Sequence, residues 1–212
     1  ANAFLNLSQT EKNNLILNGF ESSSKGLQAA GLLNFVLVKA TGLQIAGGLN
    51  SVGDDFKGIQ LAGIGNSVGA ASQFVQLAGV FNITAKSVRG FQISSLLNYA
   101  GLELSGLQLG LFNKAGWIRG KRSMQPTSSR GWQIGLVNFC REMDGLQIGL
   151  INFGGPAGGT QIGLINFFSK YGAKRKEFMG TPIGLLNIGS RGSYLRVSYN
   201  EVFLTNIEYT TG

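Results

Sequence analysis

The sequence predicts an all-β protein, a parallel β-solenoid of about ten coils of 14–16 residues with a C-terminal strand cap; an antiparallel outer-membrane β-barrel is the alternative. Three observations predict it. A short segment recurs in phase, its residues alternate with period two, and two insertions interrupt it at the same phase.

The recurrence begins at Gly26. GLQAAGLLN (26–34) returns as GLQIAGGLN (42–50), GIQLAGIGN (58–66), FVQLAGVFN (74–82) and GFQISSLLN (90–98). Gln28, Gln44, Gln60, Gln76, Gln92 and Gln108 are spaced by 16, as are Asn18, Asn34, Asn50, Asn66, Asn82 and Asn98. From Gly106 the unit shortens to GLQLGLFN (106–113), GWQIGLVN (131–138), GLQIGLINF (145–153) and GTQIGLINF (159–167), and in TPIGLLN (181–187) Pro182 takes the Gln position. Leu43 and Ile45 alternate with Gln44 and Ala46, which is strand periodicity, and the frequent Gly opposes helix.

Gln and Asn stand six apart in the long units and five apart in the short ones, as from Gln147 to Asn152. On an uninterrupted strand that change would flip Asn to the other face, so a corner between the two must absorb it. Ala46-Gly47 and its equivalents, reduced to Gly135, Gly149 and Gly163, fit that corner, with Gly expected to take a positive φ. Extra residues follow Asn113 and Asn166, three units apart. In a solenoid both insertions project from one edge, whereas a barrel would send them to opposite ends.

In order along the chain, 1–25 reads as an N-terminal cap and degenerate first repeat in which Lys12 replaces Gln. Residues 26–190 are the repeat domain, with insertions at 114–130 and 167–180. Residues 191–212 leave the repeat as a hairpin cap or the start of a further β-module.

The units GLQIGLINF and GWQIGLVNF resemble the tandem surface repeat of bacterial envelope proteins, whose core reads close to GLQIGLVN. The resemblance covers about residues 26–190 and implies an exported bacterial protein at the cell envelope, on the outer-membrane, periplasmic or surface side. A start at Ala1 without Met fits a processed exported protein or a trimmed chain.

With 43% hydrophobic and 13% charged residues the chain is not disordered, and no apolar run reaches the length of a membrane helix. There is no His, which excludes Ser/His/Asp and Cys/His catalysis, and the single Cys140 can form neither an internal disulfide nor a thiolate cluster. Asp54 with Asp55, and Glu142 with Asp144, read as solvated turn charge; GGPAGGT (154–160) lacks the Lys-Ser/Thr ending of a phosphate loop and reads as a turn. We therefore expect a non-enzymatic protein with no catalytic, metal-binding or cofactor-binding residues. The Gln and Asn rows read as hydrogen-bonded ladders along the stack, and a sugar-binding row would use the same amides.

Charge points to a partner surface. The formal net charge is +8, and half of the 18 basic residues fall in the two insertions. Lys114, Trp117, Arg119, Lys121, Arg122 and Arg130 belong to the first, and Lys170, Tyr171, Lys174, Arg175 and Lys176 to the second. Aromatic residues among cations suit docking on an envelope or outer-membrane protein, lipopolysaccharide or another anionic surface. Nucleic acid is not expected, since no binding module appears. Two solvated loops that keep an apolar protein soluble are the plainer reading of the same residues.

Overall fold

The computed structural model describes residues 17–116, 129–155, 159–169, 181–190, 195–198 and 205–209, and among them there is no helix. Their strands join in one 19-stranded hydrogen-bonded network. From Leu49 to Ala115 each coil has a longer strand carrying Gln, a corner, a short strand carrying Asn, and a wider turn, whereas Leu146–Gly154 and Thr160–Ser169 each carry both Gln and Asn on one continuous strand. Phe56–Ala62 and Gly65–Val68 form one such coil, Ser72–Ala78 and Phe81–Thr84 the next. The first two strands, Leu17–Ala30 and Leu33–Ala46, run through the wide turn without a break. In the second, Phe35-Val36-Leu37-Val38 favours extended backbone, whereas Gly53-Asp54-Asp55 in the following coil is a poor strand former.

Each coil pairs in parallel with the next. On the Gln face the register runs Gln28, Gln44, Gln60, Gln76, Gln92, Gln108, Gln133, Gln147, Gln161 and Pro182. On the Asn face it runs from Asn18 through Asn187 to Asn206. The fold is therefore a parallel β-solenoid. Parallel register overturns the antiparallel barrel, whose neighbouring strands alternate in direction. The solenoid has about eight turns rather than about ten, because Gln28 to Gln161 supplies the complete Gln rungs and Pro182 ends the row. The described part of the tail continues the stack. Thr205–Tyr209 pairs in parallel with Leu186–Ser190 as one more rung, and only Leu195–Ser198 runs antiparallel to it.

The interior is unusual in its chemistry. Gln60, Gln76, Gln92, Gln108, Gln133 and Gln147 are fully buried, as are Asn50, Asn66, Asn82, Asn98, Asn138 and Asn152. Each Gln Nε2 donates to the Oε1 of the preceding rung, as from Gln108 to Gln92 and from Gln133 to Gln108, both at 2.8 Å. The Asn row has the opposite polarity: Asn82 Nδ2 donates forward to Asn98 Oδ1 at 3.0 Å, and Asn98 to Asn113 at 3.0 Å. Every Asn from Asn34 to Asn166 uses its second N–H on a backbone carbonyl of the next coil, at the residue after Gln (after Pro182 for Asn166), as from Asn98 to Leu109 O. This second bond ties the Asn row to the corner. From Gln92 onward the Gln amides also reach across to the Asn strand, as Gln147 Nε2 does to Phe153 O. The amides thus hold coil to coil along the stack and face to face across it.

Apolar packing fills the rest of the section, beside the wide turns. Val36, Ala40, Val52, Phe56 and Val68 form one cluster. Val88, Ala100, Leu104, Ala115, Cys140 and Met143 form the other.

At the corner two successive N–H groups converge on one carbonyl of the preceding coil, as Val80 and Phe81 do on Ile64 O. Glycine is required here by proximity: a Cβ on Gly63 would lie 2.0 Å from Gly47 O, and one on Gly79 2.0 Å from Gly63 O. Positive φ lies elsewhere, two residues before Gln, at Gly26, Gly42, Gly58, Gly90 and Gly106, with Phe74 (φ 88°) at the same place in its coil. That corrects the expected reason for the corner glycines.

Two predictions follow from this geometry. Gly63→Ala forces backbone apart and should lower unfolding free energy by about 1–3 kcal/mol, read from the denaturant midpoint. At the other end of the stack, Gln161 Oε1 has no partner because Pro182 offers it no amide. Pro182→Gln adds a rung and should raise stability by about 1 kcal/mol in the same measurement.

Candidate binding surfaces

The wide-turn edge carries charge. Lys39 Nζ lies 3.2 Å from Asp55 Oδ2, both exposed, and the Ala71 N–H donates to Asp55 Oδ1. The Ala71 hydrogen bond and Lys39 together lower the Asp55 pKa, against a smaller effect of burial. A depressed carboxylate pKa contributes stability above its ordinary value and loses it as pH falls through the lowered one; solvent exposure keeps this contribution small. A cleft of about 390 Å³ opens beside this pair, with Lys57, Ser72 and Arg89 on its walls. Asp55 thus serves the turn, as solvated charge should. Glu142 and Asp144 lie on either side of buried Met143, and Asp144 Oδ2 stands 3.9 Å from exposed Arg130 Nε.

Of the expected partner-binding residues, Lys114 and Arg130 are described; Trp117, Arg119, Lys121, Arg122, Lys170, Tyr171, Lys174, Arg175 and Lys176 lie outside the described residues. Lys114 sits on the outer side of the Asn strand Phe112–Ala115, not in a loop. Its Nζ lies 5.7 Å from the Phe139 ring centroid and 6.0 Å from that of Tyr99, within cation–π range. The aromatic row continues beyond it, with Phe153 and Phe167 stacked at 4.7 Å.

Gly116 and Ser129 border one insertion, Ser169 and Thr181 the other. Gly116 N–H is bonded to Ala100 O, and Ser129 N–H to Glu142 O, so the first leaves and rejoins within the ladder of the wide turns. The second leaves an Asn strand and rejoins at a Gln strand at the same phase. Both insertions therefore spring from one edge, three coils apart, on the order of 14 Å at one strand spacing per coil.

The opposite edge is apolar. Between Gln and Asn no unit carries a charged residue, and Ser94 and Ser95 are its only hydroxyls. The corner residues Leu111, Leu136, Leu150, Leu164 and Leu185 are 42–51% exposed. A second row, Leu109, Ile134, Ile148, Ile162 and Ile183, runs parallel to them, and the Gly110, Gly135, Gly149 and Gly163 backbone floors a groove of about 630 Å³ between the rows. This surface was open to sequence reasoning through the uncharged Gln-to-Asn interval. The alternation alone does not tell that Leu and Ile face outward.

The amide rows are buried, so they present no surface to a sugar. No family model, curated protein or solved structure matches the chain.

Cys140 is buried in the apolar cluster with its Sγ 3.4 Å from Glu142 O, and burial pushes the thiol pKa up to about 11. Since the thiolate is the reactive form, a disulfide reagent at neutral or mildly alkaline pH should leave the folded protein unlabelled. One thiol per chain should titrate in guanidinium chloride. Rapid labelling of the native protein would contradict the buried placement.

Proposed function

We propose that this chain is a non-enzymatic repeat scaffold of a bacterial cell envelope that presents two basic loops side by side to a partner protein or an anionic surface such as lipopolysaccharide. The observation that carries the reading is the common edge: both basic insertions leave and rejoin the solenoid at the same phase, three coils apart. A laddered stack holds its edges at fixed spacing, so two loops that are far apart in sequence add their fields over roughly one Debye length.

The likeness of GLQIGLINF to envelope surface repeats supports the location, and the net charge of +8 supports an anionic partner. The absence of His and the shortage of carboxylates, ten in the whole chain, support a binding rather than a catalytic role. Arg130 and Lys114 flank the first loop and contribute to its charge, although Arg130 is partly neutralised by Asp144.

Replacing Arg119, Lys121, Arg122, Lys174, Arg175 and Lys176 by Ser leaves the Gln and Asn rows untouched and should preserve the thermal midpoint. Retention on lipopolysaccharide or anionic vesicles at low salt should be lost, and wild-type retention should fall steeply as salt rises. Equal retention of the variant would leave the loops as solubilising decoration.

A further inference from the structure

We propose that the apolar corner edge is a self-association surface, on which a second copy of this chain seats its Leu row in the glycine-floored groove. This inference is independent of what the basic loops bind.

The groove is a product of the fold. A Cβ on Gly135 would lie 2.0 Å from Gly110 O, and one on Gly184 2.0 Å from Gly163 O, so these floor positions cannot carry side chains. The residues on either side must therefore stand proud as ridges. Leu136, Leu150 and Leu164 form one ridge, 43–48% exposed, and Ile148 and Ile162 belong to the other.

Three features select a second copy as the occupant. The first is spacing: the ridges repeat once per coil at about 4.8 Å, and a surface with that same repeat is another coil edge of this kind. A two-fold axis set beside the groove places each Leu ridge in the other copy's groove, so the contact closes on itself. The second is area. From Leu32 to Leu185 the strip is roughly 43 Å long and about 15 Å wide at strand dimensions. That is roughly 650 Å² in projection before the ridges interlock, close to the ~800 Å² per partner of a standard stable interface.

The third is the placement of charge and chain. Among the described residues, Lys39, Asp55, Lys57, Lys86 and Arg89 lie toward the wide turns, and both insertions leave from that edge. Among the described residues no cation borders the strip to meet lipid headgroups, whereas pairing through it leaves the charged edge of each copy facing outward.

The test is analytical ultracentrifugation of the full chain in detergent-free buffer over a roughly hundredfold concentration range, which brings a reversible dimer into view. Wild type should sediment as a dimer. Leu136→Lys/Leu150→Lys should be monomeric with unchanged circular dichroism and thermal midpoint at low concentration. Leu37→Lys, an equally exposed site outside the strip (50%), should remain dimeric and so controls for added charge. A monomeric wild type, a double variant that still dimerises, or a control that dissociates equally would each overturn the proposal. Flotation of a monomeric wild type with neutral phosphatidylcholine vesicles would instead assign the strip to lipid.

Discussion

Side-chain amide hydrogen bonds between successive coils are the interaction on which the rest of the structure depends. A coil of 14–16 residues closes around a narrow section, and on its Gln and Asn strands the inward positions are taken by amides rather than by Leu or Val. Each amide both donates and accepts, so a row of identical residues at one-strand spacing satisfies itself along the axis. The bonds from Gln92, Gln108, Gln133, Gln147 and Gln161 to opposing carbonyls, and those from Asn to the corner, extend the row into a net across the section. Removing one member leaves several buried groups unpaired, and each such loss costs about 1–3 kcal/mol. Thr84 shows how closely the interior is matched to the amides, since its hydroxyl donates to Gln76 Oε1 and accepts from Gln92 Nε2.

The ladder also dictates the surface. Period-two alternation with amides inside turns the neighbouring Leu, Ile and Phe outward, so the protein carries polar groups where most proteins carry oil. Close stacking at the corner then excludes side chains from the glycine floor and leaves ridges on either side. Core, groove and apolar edge share this single cause. Lys39, Asp55 and Lys86 lie at the wide turns, from which both insertions leave, and there apolar clusters such as Val52, Phe56 and Val68 supply the ordinary packing that the corner lacks.

Much of this was legible in the residues. A ladder needs the same amide at the same phase in every coil, and the unbroken 16-residue spacing of Gln and Asn states that requirement directly. Parity located the corner, because Asn152 must face inward like Asn98 although it follows its Gln one residue sooner. The glycine roles were harder to read. A Gly demanded by a neighbouring carbonyl and a Gly demanded by positive φ look alike, and Phe74 at a positive-φ position broke the pattern that would have told them apart. Asn206 was missed as a rung because the segment around it has no Gln in phase and Tyr209 and Glu208 disguise the repeat. The phase of the two insertions located the edge from which both leave, and Lys114 proved to belong to an aromatic strand face rather than to a loop.

The most direct measurement of the ladder's weight is the unfolding free energy of Asn98→Leu beside that of Leu37→Asn, by chemical denaturation. Asn98 donates to Leu109 O and Asn113 Oδ1 and accepts from Asn82 Nδ2 and Ser94 Oγ, whereas the Leu37 side chain is half exposed. An interior held by amides predicts that the apolar replacement of Asn98 costs at least about 3 kcal/mol and that the polar replacement of Leu37 stays within about 0.5 kcal/mol. Stability unchanged or increased in Asn98→Leu would contradict the account, because the core would then be held by burial and not by its hydrogen-bonded rows.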